Sequence, residues 1–346
     1  MRNHSGKMRK FQWIFGLLLL ILATACAPNI ERLKKKGDVD KLIEIIEIDL
    51  GAYTDRVDAV IALGELGDKK AIEPLIEDLY YSEFSTNSNP YNDVIKESLM
   101  ILGENYPEEI IGYLIESGLY KGGIDPKRAI DLREILIKIG PVIVDPFLDA
   151  VAVNENDVLE QYALSIFLKF DSSIIPILEE AHNNDPESLF IREALNNAAG
   201  YHSVTVAAEA VCQGRTIPYA ADYDPSMQGN RGVYYGGIEW IGNDIAKEYS
   251  NDVAEKVALL QVVFCFDEEA VLIETCTYMG PNIERYQKKY NISIVCAKTG
   301  EILAENTFTS EPPRECKQSE VFDITKLNGA FDYGPIVEWL RQTVEP

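Results

Sequence analysis

The chain has 346 residues, 47% of them apolar, which is enough to bury more than one core and excludes a mainly disordered protein. Its 32 Lys and Arg against 56 Asp and Glu give a formal charge of -24. A body this acidic repels phosphate backbones, whose affinity for proteins comes from clustered cations, so nucleic-acid binding is not expected. The acidity is spread along the chain rather than gathered in a tail, and reads as a solvated surface.

The first 25 residues hold four cations (Arg2, Lys7, Arg9, Lys10) and no acid, so their removal takes the charge from -24 to -28. A largely apolar stretch from Phe11 to Leu22 follows, then Ala23-Thr24-Ala25-Cys26. This is the cationic, apolar and small-residue order of a secretory signal. The apolar stretch is shorter than the roughly 20 residues that span a bilayer. A cysteine directly after small residues resembles the bacterial lipobox, although Ala23 stands where Leu is commoner. The resemblance implies that Cys26 is diacylated and becomes the new N-terminus; the alternatives are an ordinary cleaved signal with an incidental cysteine and an uncleaved anchor. Residues 26–37, with Pro28 and Lys34-Lys35-Lys36, then read as a short tether to the lipid bilayer. Each buried methylene of the acyl chains contributes roughly 0.8 kcal/mol to anchoring. Ala27 occupies the place where Asp signals inner-membrane retention in bacteria with two membranes, which favours outward sorting where an outer membrane exists. The expected product is an exported, membrane-anchored lipoprotein at the cell surface or facing the periplasm.

Residues 38–200 contain internal repeats. Ile72-Glu73-Pro74-Leu75-Ile76, Ile110-Ile111-Gly112-Tyr113-Leu114, Val144-Asp145-Pro146-Phe147-Leu148 and Ile174-Ile175-Pro176-Ile177-Leu178 align, with their third positions 38, 34 and 30 residues apart. Upstream of each lies a second apolar-periodic segment ending in Ala62-Leu63-Gly64, Ile101-Leu102-Gly103, Lys138-Ile139-Gly140 and a degraded Phe167-Leu168-Lys169. Each unit therefore reads as two helices with half-buried stripes. Gly64, Gly103 and Gly140 are expected as left-handed C-terminal residues, and Pro74, Pro146 and Pro176 in the opening turns of second helices. Val39 to Ile48 is expected as a leading helix and Pro186 to Ala199 as a closing one. Residues Arg56 to Ile76 resemble the HEAT-like repeats of phycobilisome lyases. That resemblance implies an α-solenoid of about five helix pairs, and no lyase activity, because such repeats scaffold many unrelated proteins. The implied use is a long surface for an unidentified protein partner; the alternative is a spacer. Ser82 to Tyr91 reads as a polar insertion within one unit, and Phe84 and Tyr91 are its candidate partner contacts.

Beyond His202 the helical spacing stops and residues 203–346 read as a β-rich domain. Lys256 to Phe266 and Ala270 to Tyr278 are expected to form a hairpin around Asp267-Glu268-Glu269. Glu284 to Ala297 and Glu301 to Thr309 form a second one around Lys298-Thr299-Gly300, and Pro335 to Thr343 a helix that caps the sheet. The fold class is thus α + β multidomain: an α-solenoid followed by an antiparallel, β-rich α+β domain. Cys212-Gln213-Gly214-Arg215, Tyr223-Asp224-Pro225, Cys265, Cys276-Thr277-Tyr278, Ile283-Glu284-Arg285-Tyr286, Thr299-Gly300, Pro313 with Cys316, and Trp339-Leu340-Arg341 resemble a C-terminal domain of exported bacterial proteins. No activity is assigned to that domain.

With Cys26 lipidated, five cysteines remain, and outside the cytoplasm pairs that can meet oxidise. In a hairpin turning at Glu268-Glu269, Cys265 and Cys276 lie about four residues apart along the ladder, roughly 13 Å, too far for a bond. Each is therefore expected to pair with Cys212 or Cys316, leaving Cys296 free.

No catalytic constellation stands out. His182 and His202 lie in unrelated contexts, and no phosphate-binding glycine loop or nucleophile elbow is present. No metal or cofactor is expected, and the chain is not read as an enzyme, although a facing carboxylate pair would permit a hydrolase. The alternative to a scaffold is a small-molecule or glycan-binding lipoprotein using the Tyr219 to Trp240 region, with Tyr223, Asp224, Tyr235 and Trp240 as candidates.

Overall fold

A computed structural model describes residues 29–47, 52–79, 90–121, 126–226, 231–234, 254–278, 282–317 and 326–344. The expected signal segment, Cys26, Phe84, Tyr235 and Trp240 lie outside the described residues.

Helix α1 (Ile30–Lys36) starts at Asn29, whose side chain accepts from the Arg32 N–H at 2.8 Å, and ends at Gly37 with φ of 67°. It packs on α2 (Val39–Glu47) and α3 (Tyr53–Leu66), and Lys34 pairs with Glu65. The expected tether therefore gives way at Ile30 to chain that belongs to the helical body, because Leu33 and the Lys34 stem find cover there. Next come α4 (Ile72–Asp78), α5 (Pro90–Asn105), α6 (Pro107–Glu116), α7 (Pro126–Ile139), α8 (Val144–Asn154) and α9 (Asp157–Phe167). First helices stack in one row, α3 on α5 on α7, and second helices in another, α4 on α6 on α8. Between the rows Leu63, Leu75, Leu99, Leu114, Leu136 and Phe147 are fully buried. Pro74 and Pro146 sit in opening turns as expected, where the missing N–H costs nothing.

Two of the three glycines have a different role from the one expected. Gly140 has φ of 90° and ends α7, whereas Gly64 and Gly103 lie inside α3 and α5. There they admit close neighbours: a Cβ on Gly64 would stand 2.7 Å from Ser98 Oγ, and one on Gly103 would collide with Ile139 and Ile110. The left-handed residue closing α3 is Gly67. Tyr91 begins α5 and is not part of an exposed insertion.

The chain divides into two units, one up to Tyr162 and one from Ala163 onward. The last helix pair, α10 (Ile175–Asn184) and α11 (Leu189–Ala198), thus groups with the sheet, where the sequence placed the border at 200–203. Glu193 on α11 is buried, and its carboxylate accepts from the Ala258 N–H at 2.8 Å, tying helix to sheet domain. Helical structure also continues past His202. Helix α12 (Val204–Cys212), capped by Ser203, buries Ala207, Ala208, Ala210 and Val211; such small residues let it lie close on the sheet. Nine residues rich in Val and Ala do not distinguish helix from strand by pattern alone.

The sheet runs β1 (Arg231–Tyr234), β2 (Val262–Cys276), β3 (Ile283–Cys296), β4 (Ile302–Thr309), with β5 (Lys326–Asn328) beside β3. Strands β2, β3 and β4 are antiparallel, but β1 joins β2 and β5 joins β3 in parallel, so the sheet is mixed rather than purely antiparallel. The first expected hairpin does not exist. Asp267-Glu268-Glu269 continues straight through β2, opposite Asn291, Tyr290 and Lys289, with Glu268 ion-paired to Lys288 at 2.7 Å. The second hairpin is present; Gly300, φ 72°, donates to the Cys296 carbonyl at 2.8 Å. One face of the sheet packs on α12 through Val263, Val295 and Ala297. The other packs Phe264, Tyr290 and Ile294 against Ile336 and Leu340 of the closing helix α13 (Gly334–Val344).

Candidate functional site

Two surfaces have the makings of a binding site. The first is the row of second helices in the helical unit. Helices α4, α6 and α8 carry Glu73, Glu77, Asp78, Glu108, Glu109, Glu116, Asp145 and Asp149 and no Lys or Arg, whereas the first-helix row carries six cations. Some acids are spent between helices. Asp78 is buried and pairs with Arg56 at 2.6 Å, Glu77 pairs with Arg128 at 3.2 Å and accepts from Tyr113, and Glu109 pairs with Lys69. The remaining Glu73, Glu108, Glu116, Asp145 and Asp149 are solvent-exposed. Each second helix exposes a like-charged face because its apolar stripe is committed to the interior.

Tyr91 does not belong to that surface. Its ring is buried, 6.0 Å from Tyr53 and beneath the Arg56 guanidinium at 5.0 Å, and its hydroxyl donates to Asp78. Burial, and then the Asp78 carboxylate, push the Tyr91 phenol well above its ordinary value, so it stays protonated. It is a locking residue between α4 and α5, not a partner contact.

The second surface lies in the sheet unit. Counting two residues along β2 and across to β3 and β4 gives two polar rows on the α12 face: Cys265, Ser293, Glu305 and Asp267, Asn291, Thr307. Cys212 bonds Cys265 with their Cα atoms 5.4 Å apart, and Cys276 bonds Cys316 at 5.8 Å, while Cys296 stays free and buried. Beyond the first disulfide α12 stops, and a groove of about 490 Å³ opens over the polar rows. The sequence reading missed these residues because only cross-strand register assembles them, and that register required β2 to be one strand.

Of the four candidates proposed for a ligand, Tyr223 and Asp224 are among the described residues. Tyr223 packs on the core of the opposite, α13 face. Asp224 folds back locally: its carboxylate accepts from the Ser226 hydroxyl at 2.6 Å and N–H at 2.8 Å, which hold it below the usual carboxylate range. Tyr219 donates to Glu179 at 2.9 Å and meets His182 edge-on. Among the described residues no cluster of three His, Cys, Asp or Glu is placed to hold a metal, and no helix is long and apolar enough to cross a membrane.

Residues 55–77 match the family model of the PBS lyase HEAT-like repeat, which places α3 and α4 in the class of HEAT-like helical repeats. The comparisons with curated proteins and with solved structures give no match. Two disulfides fit a protein that matures outside the cytoplasm.

Proposed function

We propose that this chain is a lipid-anchored protein of the cell envelope whose helix pairs form an α-solenoid that holds a protein partner. The observation that carries this reading is the second-helix row, three stacked helices with no Lys or Arg of their own, on which Glu73, Glu108, Glu116, Asp145 and Asp149 remain exposed after three further acids are paired to neighbouring helices. Repeats of this class contact chiefly their neighbours and leave a continuous face for binding. A face of one sign steers oppositely charged partners and rejects acidic ones, so the partner presents Lys and Arg. Acylation at Cys26 holds the assembly at a membrane, and the disulfides match that compartment.

The test is capture from native membranes with the full chain and with a variant carrying Glu73→Lys, Glu108→Lys, Asp145→Lys and Asp149→Lys. These are exposed positions, so folding is expected to survive. Loss of a salt-sensitive partner in the variant supports the reading; an unchanged set of partners removes the row from consideration. Cys26→Ser is expected to shift the chain out of the membrane fraction, and a membrane-bound Cys26→Ser protein argues against acylation.

A further inference from the structure

The groove beside the Cys212–Cys265 disulfide has a composition that specifies a ligand. The geometry points to a second binding site, independent of the helical repeats, for a small organic diamine. The polar side chains on this face of the sheet are Asp267, Asn291, Ser293, Glu305 and Thr307. Among the described residues its lining includes two carboxylates and no Lys, Arg or His, which favours a cationic ligand over an anionic one. Thr307 donates its hydroxyl to the Asn291 side-chain amide oxygen at 3.0 Å, and the strongest acceptors left in the groove are the Asp267 and Glu305 carboxylates. The C-terminal end of α12, where Cys212 lines the groove, adds the partial negative charge of a helix terminus. A ligand that fits supplies donors and positive charge.

The placement of the two carboxylates fixes the ligand's shape. Asp267 is paired with Asn291, and Thr307 follows across β3; Glu305 is paired with Ser293, opposite Cys265. The acids therefore stand at diagonal corners of a patch two strand spacings wide and two residues long, about 12 Å between Cα atoms. The two ends of a short alkyl diamine can each meet one of these carboxylates, with its methylenes over the disulfide. Ser293 and Asn291 sit between the corners. The volume is in the range of small-ligand sites. A divalent metal is a poorer fit, because among the described residues no three His, Cys, Asp or Glu side chains are placed to hold one.

The test is calorimetric titration of the detergent-solubilised full chain with putrescine, against butylamine and glucose. Putrescine is expected to bind about tenfold tighter than butylamine, the loss of one charge-assisted contact. Asp267→Asn and Glu305→Gln should each reduce putrescine binding to the butylamine level, while Glu338→Gln, an acid on the exposed side of α13, changes nothing. Both substitutions are at exposed positions, so the disulfide and the melting temperature serve as folding controls. The proposal is overturned by no saturable putrescine binding, by equal binding in the Asp267→Asn/Glu305→Gln double variant, or by glucose binding as tightly as the diamine.

Discussion

Gly103 illustrates how much a single hydrogen in place of a methyl group can control. Its α carbon faces Ile139 and Ile110, so Gly103→Ala is expected to overpack the α5–α7 contact and cost about 1–3 kcal/mol in a urea titration. Gly112, in α6, has open space where a Cβ would go, and Gly112→Ala should stabilise by up to about 1 kcal/mol. Equal effects at the two positions would mean that helix propensity, not packing, governs both. Tyr91→Phe removes the hydroxyl from buried Asp78 and is expected to lower stability by about 1–3 kcal/mol, read as a shift in the same midpoint. None of these roles was legible beforehand. A glycine near a helix end reads equally as a C-cap or as a packing notch, and an aromatic after Asn89-Pro90 reads equally as loop or as the first turn of a helix.

The helix pairs were legible as elements because a three- and four-residue apolar stripe has few alternative readings, whereas β2 was not. Three consecutive acids look like a turn, yet Lys288 and Lys289 on β3 neutralise two of them across the ladder. The disulfide pairing was reached through that mistaken hairpin and survives it: eleven residues of continuous strand separate Cys265 from Cys276 even farther, roughly 36 Å. Closing loops with sequence separations of 53 and 40, each bond should contribute about 4 kcal/mol in the chain-entropy picture, so reduction should strongly lower the melting of the sheet unit. Unchanged melting after full reduction would show that the unfolded chain is already constrained. Beyond Phe266, β2 exposes Val271, Leu272 and Ile273 at 38%, 50% and 46%, with a bulge between Leu272 and Glu274. Replacing Leu272 by Lys should reduce concentration-dependent association in light scattering without lowering stability.

Across the helical unit, polar rungs recur at about the repeat spacing: Ser98 to the Val60 carbonyl at 3.1 Å, and Lys96 to Asp131 at 2.6 Å and Glu134 at 2.9 Å. Hydrogen bonds from Lys138 and then Lys96 hold the Glu134 carboxyl below its ordinary range, with burial opposing. A lowered folded value means the contribution is complete above about pH 4.3 and disappears as pH falls through the depressed value. Glu134 is nearly half exposed, so solvent screens the pair and the effect is small. In a series of urea midpoints taken from neutral to acid pH, Glu134→Gln should have a shallower acid limb than the parent; parallel curves would deny the pair any role.

Glu193 also bears on how a chain of this kind can change length. Because the terminal helix pair serves as a wall of the sheet unit, whole periods can be inserted or lost upstream of Ala163 while the Ala258 amide keeps its acceptor. The support of the sheet unit is then supplied from within that unit and is untouched by the number of periods before it.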